Sequence, residues 1–436
     1  MPRIFFCKSS LTLISVIVAL LLMVLAACNQ TPQPDSRKIA APGATVGVDD
    51  PRLAPIAVAA QEEIDAGHTP GVVVLVGHRG RVVYLKAFGQ RCLEPLPWPM
   101  TVNTVFDIAS LTKVVATTTA IMQLADRGLI SIDNPVAKYW PEFGQNGKAG
   151  ITLRQLLTHT SGLRAEINPR ARWQDYQGAL EAIAVDHPLH PPGTEFHYSD
   201  VNFIVLGEMV RRVSGEPLEV YCSKEIFTPL KMRQTSFKPP ATWIACIAPC
   251  NVIKGHLRWG EVQDPTSYRL GGVAGHAGVF STAADLAVFA QMLLNGGESR
   301  GARILSCQAV AAMTEPQEAQ GIVSRRGLGW DIQSPLSKEF NASFPAGSFG
   351  HTGYTGTSIW IEPHSQTYLI ILTNRLHPRG KGQVKPLRAK IAAAVAAAMP
   401  MGPPAGILDV SGTSLSLDSH PGIQPAAKAD EKGSNH

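Results

Sequence analysis

The sequence predicts a mixed α/β (α+β) fold: an antiparallel sheet flanked by N- and C-terminal helices, with a mainly helical region inserted between its strands. Three observations predict it. Hairpin patterns lie near both ends of the folded portion, a helical pattern lies outside each hairpin, and the stretch from about Thr101 to Thr314 reads as helices joined by long Gly/Pro-rich connections. Hydrophobic residues at 45% and charged residues at 17% describe a globular chain able to bury a sizeable core and to wall a cleft.

The elements follow in order. Leu53 to Ala66 reads as a helix, and Val72 to Val76 with Arg81 to Phe88 as two strands joined around Arg79-Gly80, a turn signal. Near the other end, Ser358 to Ile361 and Tyr368 to Thr373 form a second hairpin around Glu362-Pro363-His364-Ser365. Ala389 to Ala398 is a small-residue helix suited to close packing on a sheet, and strands from both chain ends are expected to share that sheet. No internal repeat is evident.

Outside this body the ends differ in kind. Basic residues Arg3 and Lys8, an apolar run from Leu11 to Val24, and Leu25-Ala26-Ala27-Cys28 read as a leader over residues 1–27. Residues 28–50 are rich in Pro, Ala, Gly and polar residues and read as a flexible tether. Residues 51–400 form the expected folded domain, and residues 401–436 have the composition of a disordered tail. The Leu-Ala-Ala-Cys ending resembles the lipobox of bacterial lipoproteins, which implies cleavage before Cys28, a lipid on that cysteine, and a membrane-anchored exported protein facing the periplasm or outer cell surface. The competing reading is an uncleaved membrane-spanning anchor.

The net charge of +5 is too small and too dispersed for nucleic acid, and no Lys/Arg block has interleaved aromatics. No CxxC pair or His/Cys cluster has metal-ligand spacing, so neither a metal nor another cofactor is expected. Cys246 and Cys250 are near enough in sequence for a small loop disulfide, with free thiols as the alternative.

The chemistry concentrates in a few segments. Ser110 and Lys113 lie three apart at the start of an apolar-periodic helix running through Ile121 and Leu124, so both side chains fall on one face. A serine hydroxyl becomes a nucleophile when a neighbour takes its proton, and a helix N-terminus offers N–H donors beside an attacked carbonyl. Alone, Ser-x-x-Lys also fits a helix cap followed by a solvated lysine.

Its surroundings point further. Phe106-Asp107-Ile108-Ala109-Ser110-Leu111-Thr112-Lys113, then Tyr198-Ser199-Asp200, then His351-Thr352-Gly353 follow one another in the order of three motifs. The chain thereby resembles the serine β-lactamase and penicillin-binding protein superfamily, in the branch of class C β-lactamases, low-molecular-weight penicillin-binding proteins and related esterases. The resemblance covers roughly residues 53–398 and implies a β-lactamase/transpeptidase-like fold. It also implies an acyl-enzyme on Ser110, Lys113 and Tyr198 sharing the proton relay, and an oxyanion hole from the N–H groups of Ser110 and Tyr354. Gly353 and Thr352 belong to the strand beside the substrate, and His351 is expected to contact a substrate carboxylate or the Tyr198 hydroxyl.

Two departures stand out. Asp200 replaces the usual Asn, a carboxylate able to pair with Lys113 and hold it protonated. His351 replaces Lys, giving a shorter, titratable cation. His159 and His276 sit in Gly/Thr-rich stretches and are expected to be structural hydrogen-bonding residues. The expected activity is hydrolysis of D-alanyl cell-wall peptides or related amides and esters. A promiscuous carboxylesterase or weak β-lactamase is the alternative, and a non-catalytic muropeptide-binding lipoprotein the reading from another class.

Overall fold

A computed structural model describes residues 50–401, apart from 318–320 and 323. The expected leader, most of the tether and nearly all of the tail lie outside the described residues.

The body is built on one eight-stranded sheet. Its strands are β1 (Gly71–His78), β2 (Arg81–Cys92), β3 (Trp98–Pro99), β4 (Arg325–Arg326), β5 (Asp331–Gln333), β6 (Phe349–Thr352), β7 (Ser358–Glu362) and β8 (Thr367–Thr373), in the spatial order β4-β5-β6-β7-β8-β1-β2-β3. Every pairing is antiparallel, and β8 joins β1 in a register running from Val72 opposite Thr373 to His78 opposite Thr367. Strands from the two chain ends therefore share one sheet, as the hairpin patterns require. Arg79 (φ 48°) and Gly80 (φ 76°) make the two-residue turn of the first hairpin, where right-handed strand twist favours left-handed turn residues.

The apolar run Val72 to Val76 is continuous because both faces of β1 are buried. Val72, Val74 and Val76 join Leu369, Ile371 and Trp360 against α1 (Pro55–Asp65) and α5 (Lys385–Ala398), through Ile56, Leu387 and Ile391. Val73 and Leu75 point the other way, with Ile359, Ile370 and Leu372, into the core shared with the helical region. Each such buried Val or Leu contributes about 1.5–3 kcal/mol. That second core is filled by α2 (Thr119–Asp126), α3 (Asp200–Ser214) and α4 (Ala283–Leu294), through Ile121, Phe203 and Phe289.

Two sequence expectations change. The segment carrying Ser110 begins as a tight 3₁₀ turn over Ala109–Leu111 and widens into a π turn over Lys113–Thr118 before becoming α2. The Thr119 hydroxyl supports that wide turn by donating to the Val114 carbonyl at 2.8 Å. Cys250 is a free, buried thiol, so the Cys246–Cys250 loop disulfide is not formed. Apolar surroundings push the Cys250 thiol well above its ordinary pKa, which keeps it inert.

Candidate active site

The cleft lies between the helical region and the β6 end of the sheet, with a volume of about 510 Å³. Ser110, Tyr198, His351, Thr352, Gly353 and Tyr354 all line it. The chain thus brings together residues from three distant segments of sequence.

A short strand positions Ser110. Phe106–Asp107 pairs with Val279–Ser281, which in turn pairs with Ser236–Phe237, and the Ile108 N–H donates to the Val279 carbonyl at 3.0 Å. The chain then bends sharply at Ala109, whose φ of 48° is a left-handed conformation that costs a non-glycine residue about 1 kcal/mol or more. Asp107 holds the bend: its buried carboxylate accepts from the Ala109 N–H at 2.8 Å and from the Gln263 N–H at 2.7 Å. Burial pushes the Asp107 pKa up to about 6, the two N–H donors pull it down, and the charge of Asp264 adds to the rise.

Lys113 is fully buried. Its Nζ lies 3.1 Å from the Ser110 Oγ, 3.1 Å from the His276 carbonyl oxygen and 2.7 Å from the Asp200 Oδ1, so three oxygens surround it. The rings of Tyr198 and Phe203 lie 5.0 and 5.6 Å away, placing π faces beside the cation. Burial alone would lower its pKa. The Asp200 carboxylate, with help from Tyr198, outweighs that effect and holds it above the ordinary lysine value.

The loop carrying His276 is locked against α3, because a Cβ on Gly275 would collide with the Phe203 carbonyl. Thr117 donates to the Gly275 carbonyl at 2.7 Å, and the His276 Nε2 meets Asp264 at 2.8 Å. Burial works to raise the pKa of Asp264, but His276 beside it lowers it to about 2. Asp200, Asp264 and His276 bring donor atoms within 4.8 Å of one another, a spacing a metal ion could use. The Lys113 ammonium already supplies the cation that Asp200 pairs with there.

Tyr198 packs its ring against His159 at 4.4 Å, and His159 Nδ1 accepts from the Ser199 N–H at 3.1 Å. His159 is fully buried and pushed well below its ordinary pKa by burial, aided by the charges of Arg326 and Lys113. Its place is behind Tyr198, as a structural residue.

On the sheet wall, His351 is only 4% exposed and its Nδ1 meets the Thr352 carbonyl at 2.9 Å. Burial first, then the charges of Arg326 and Lys113, push its pKa well below the ordinary histidine range. This disfavours a cationic grip on a substrate carboxylate and leaves a neutral imidazole able to hydrogen-bond a substrate carboxylate or the Tyr198 hydroxyl. Positive charge in the cleft comes instead from Arg326, Arg375, Lys385 and Arg388, none of which the sequence singled out. Gly353 is required by space, because a Cβ there would overlap the Thr357 Oγ1 and come within 2.7 Å of the Ile108 carbonyl. Asp107, Asp264 and the His276 carbonyl were likewise missed. Asp107 had a signal in its adjacency to the nucleophile segment, whereas a main-chain carbonyl carries none.

Comparison with known proteins agrees with this geometry. The family model described as Beta-lactamase matches residues 56–394. A protein named "Putative D-alanyl-D-alanine carboxypeptidase" from Escherichia coli O157:H7 is 31% identical over 353 residues, covering 72% of this chain and 80% of its own length. A Salmonella agona protein of the same name is 31% identical over 381 residues, covering 78% and 87%. Among solved structures, EstCE1, a hydrolase with promiscuous acyltransferase activity, superposes with a TM-score of 0.65 at 25% identity, covering 79% of this chain and 98% of its own. A penicillin-binding protein homologue from Caulobacter crescentus shares the fold, with a TM-score of 0.68 at 23% identity over 81% of this chain and 99% of its own. With its three motifs drawn into one cleft, the chain belongs to the β-lactamase family of serine hydrolases.

Proposed function

We propose that Ser110 is the nucleophile of an acyl-enzyme hydrolase acting on D-alanyl peptides, exported and held to a membrane through a lipid on Cys28. The observation that carries the site assignment is Lys113, bonded to the Ser110 Oγ while gripped by Asp200 and the His276 carbonyl. An ammonium donating to all these oxygens has no lone pair with which to take a proton. The general base is then Tyr198, acting as a phenolate beside the Lys113 ammonium that stabilises it.

In the first half-reaction the Ser110 Oγ attacks the peptide carbonyl while its proton passes to Tyr198. The negative oxygen is received by the N–H groups of Ser110 and Tyr354. Collapse breaks the C–N bond, and Tyr198 returns the proton to the leaving D-alanine amine. In the second half, water attacks the ester, giving its proton to Tyr198, which passes it back to the Ser110 Oγ. Arg375 and Lys385, lining the cleft beside Tyr354, supply positive charge suited to a terminal carboxylate.

A second reading has its own support. His351 is neutral, and the cleft lining includes the exposed apolar groups Leu336 and Tyr354, which suits an uncharged ester. Fluorescent penicillin and fluorophosphonate should each label the wild type and leave Ser110→Ala unlabelled; labelling that survives the substitution would overturn the assignment. Turnover of short acyl esters with D-Ala-D-Ala peptides left intact would select the esterase. For the anchor, the leader and Cys28 are the support, and no helix among the described residues is long and apolar enough to cross a membrane. Cys28→Ala should abolish lipid labelling and release the protein from membranes, and unchanged attachment would favour an uncleaved anchor.

A further inference from the structure

We propose that Arg388, on the C-terminal helix α5, is a positioning residue that orients and polarises the peptide unit supplying the second oxyanion-hole N–H. The inference rests on the acyl-enzyme reading above. The Tyr354 N–H belongs to the same planar amide as the Gly353 carbonyl, and in a trans peptide the two point in opposite directions. Whatever fixes that carbonyl on one side aims the N–H on the other.

Arg388 does this directly. Its Nη2 donates to the Gly353 carbonyl at 3.2 Å and to the Thr357 carbonyl at 2.8 Å, spanning both ends of the turn that follows β6. The turn is closed on itself by the Gly353 N–H donating to the same Thr357 carbonyl at 2.7 Å. Arg388 is only 5% exposed, and its Nη1 lies 3.3 Å from the carboxylate of Glu339, itself buried on the short helix Lys338–Asn341. Burial draws its pKa down to about 10 and Glu339 opposes that, so the guanidinium is charged across the neutral range.

A cation bonded to an amide oxygen draws electron density from the nitrogen and makes its N–H a stronger donor. Among the described residues, the Tyr354 N–H has no hydrogen-bond partner of its own. The carbonyl of Tyr354 is held as well, by the Arg375 Nε at 2.8 Å. On its other side the turn is tied to the nucleophile segment: Thr355 donates to the Asp107 carbonyl at 2.8 Å and Thr357 to the Ile108 carbonyl at 3.0 Å. The two oxyanion donors are thus set in one cross-linked frame, tied both to the buried Arg388 and to Ser110's segment.

The test compares Arg388→Gln, Arg388→Lys and Glu339→Gln with the wild type. Four readouts are taken: kcat and KM on an activated acyl ester, affinity for a boronic acid that forms a tetrahedral anionic adduct on Ser110, and thermal midpoint. Arg388→Gln should lower kcat by about 10- to 100-fold and weaken the boronic acid by the same factor, with KM moving less than about threefold. Arg388→Lys should restore part of both, and Glu339→Gln, which leaves the turn contacts in place, should lose less. A folded Arg388→Gln protein with wild-type kcat and boronate affinity would overturn the inference, as would a loss confined to KM or to the thermal midpoint. If Arg388→Gln fails to fold, the parallel between kcat and boronate affinity in Arg388→Lys decides in the same way. Failure of the acyl-enzyme reading looks different, since the wild type would then be as unreactive as Ser110→Ala.

Discussion

The helical wall of the cleft places a fully buried ammonium, Lys113, among three oxygens, whereas the sheet wall offers an uncharged imidazole and a turn of main-chain groups. The same burial acts on both walls with opposite results. On the helical wall Asp200 outweighs the desolvation of Lys113 and keeps it charged. On the sheet wall the charges of Arg326, Lys113 and Arg388 reinforce burial in keeping His351 neutral. The contrast teaches that one and the same burial leaves a group charged where a carboxylate meets it and neutral where cations surround it.

The comparison can be broken most severely at Lys113. Lys113→Met should cut kcat by about a thousandfold or more and destabilise the fold by up to about 3 kcal/mol, since Asp200 loses its partner. The sign with pH follows from the raised pKa of Lys113: its contribution is whole below the unfolded lysine value of 10.5 and is lost as pH rises through the higher folded value. Denaturation curves in which the gap between wild type and variant persists undiminished at strongly alkaline pH would contradict this.

On the sheet wall, Gly353→Ala should lower kcat/KM by on the order of a hundredfold, because the added methyl pushes the turn off Thr357 and the Ile108 carbonyl. Kinetics within twofold of wild type would mean that the turn is not a close-fitting part of the site.

A smaller change sharpens the contrast. Asp200→Asn removes the charge that raises Lys113, so burial should dominate and the alkaline limb of kcat/KM should move to lower pH. The loss at pH 7 should be about tenfold and should widen toward pH 9. Superimposable profiles would show that Asp200 does not govern the lysine.

The least effect is expected at His351. KM for an anionic substrate should be flat from about pH 5.5 to 8, and His351→Gln should change it less than about threefold. A KM that climbs through pH ~6.5 in the wild type alone would restore the cationic role.

Much of this architecture was legible before any coordinates. The turn signals at Arg79-Gly80 and at Glu362 to Ser365 set both hairpins, and the paired apolar runs required strands from both chain ends to meet. That Ser110, Tyr198 and His351 line one cleft was legible because their segments keep a recognisable order and spacing. The π turn at Lys113 was not, since its support is a hydroxyl-to-carbonyl bond inside a stretch that reads as ordinary helix. Asp264 and Arg388 were invisible for another reason: each acts through main chain or charge brought near by folding, and neither sits in a segment whose local pattern distinguishes it.

The sequence by itself determined the strands and the motif segments that meet in the cleft, because apolar runs, turn signals and motif spacing are local properties of the chain. Only the tertiary structure decided the charge states. Whether Lys113 is an ammonium and His351 a neutral ring depends on burial and on Asp200, Arg326 and the His276 carbonyl arriving from distant segments, and ionisation responds to that assembled environment.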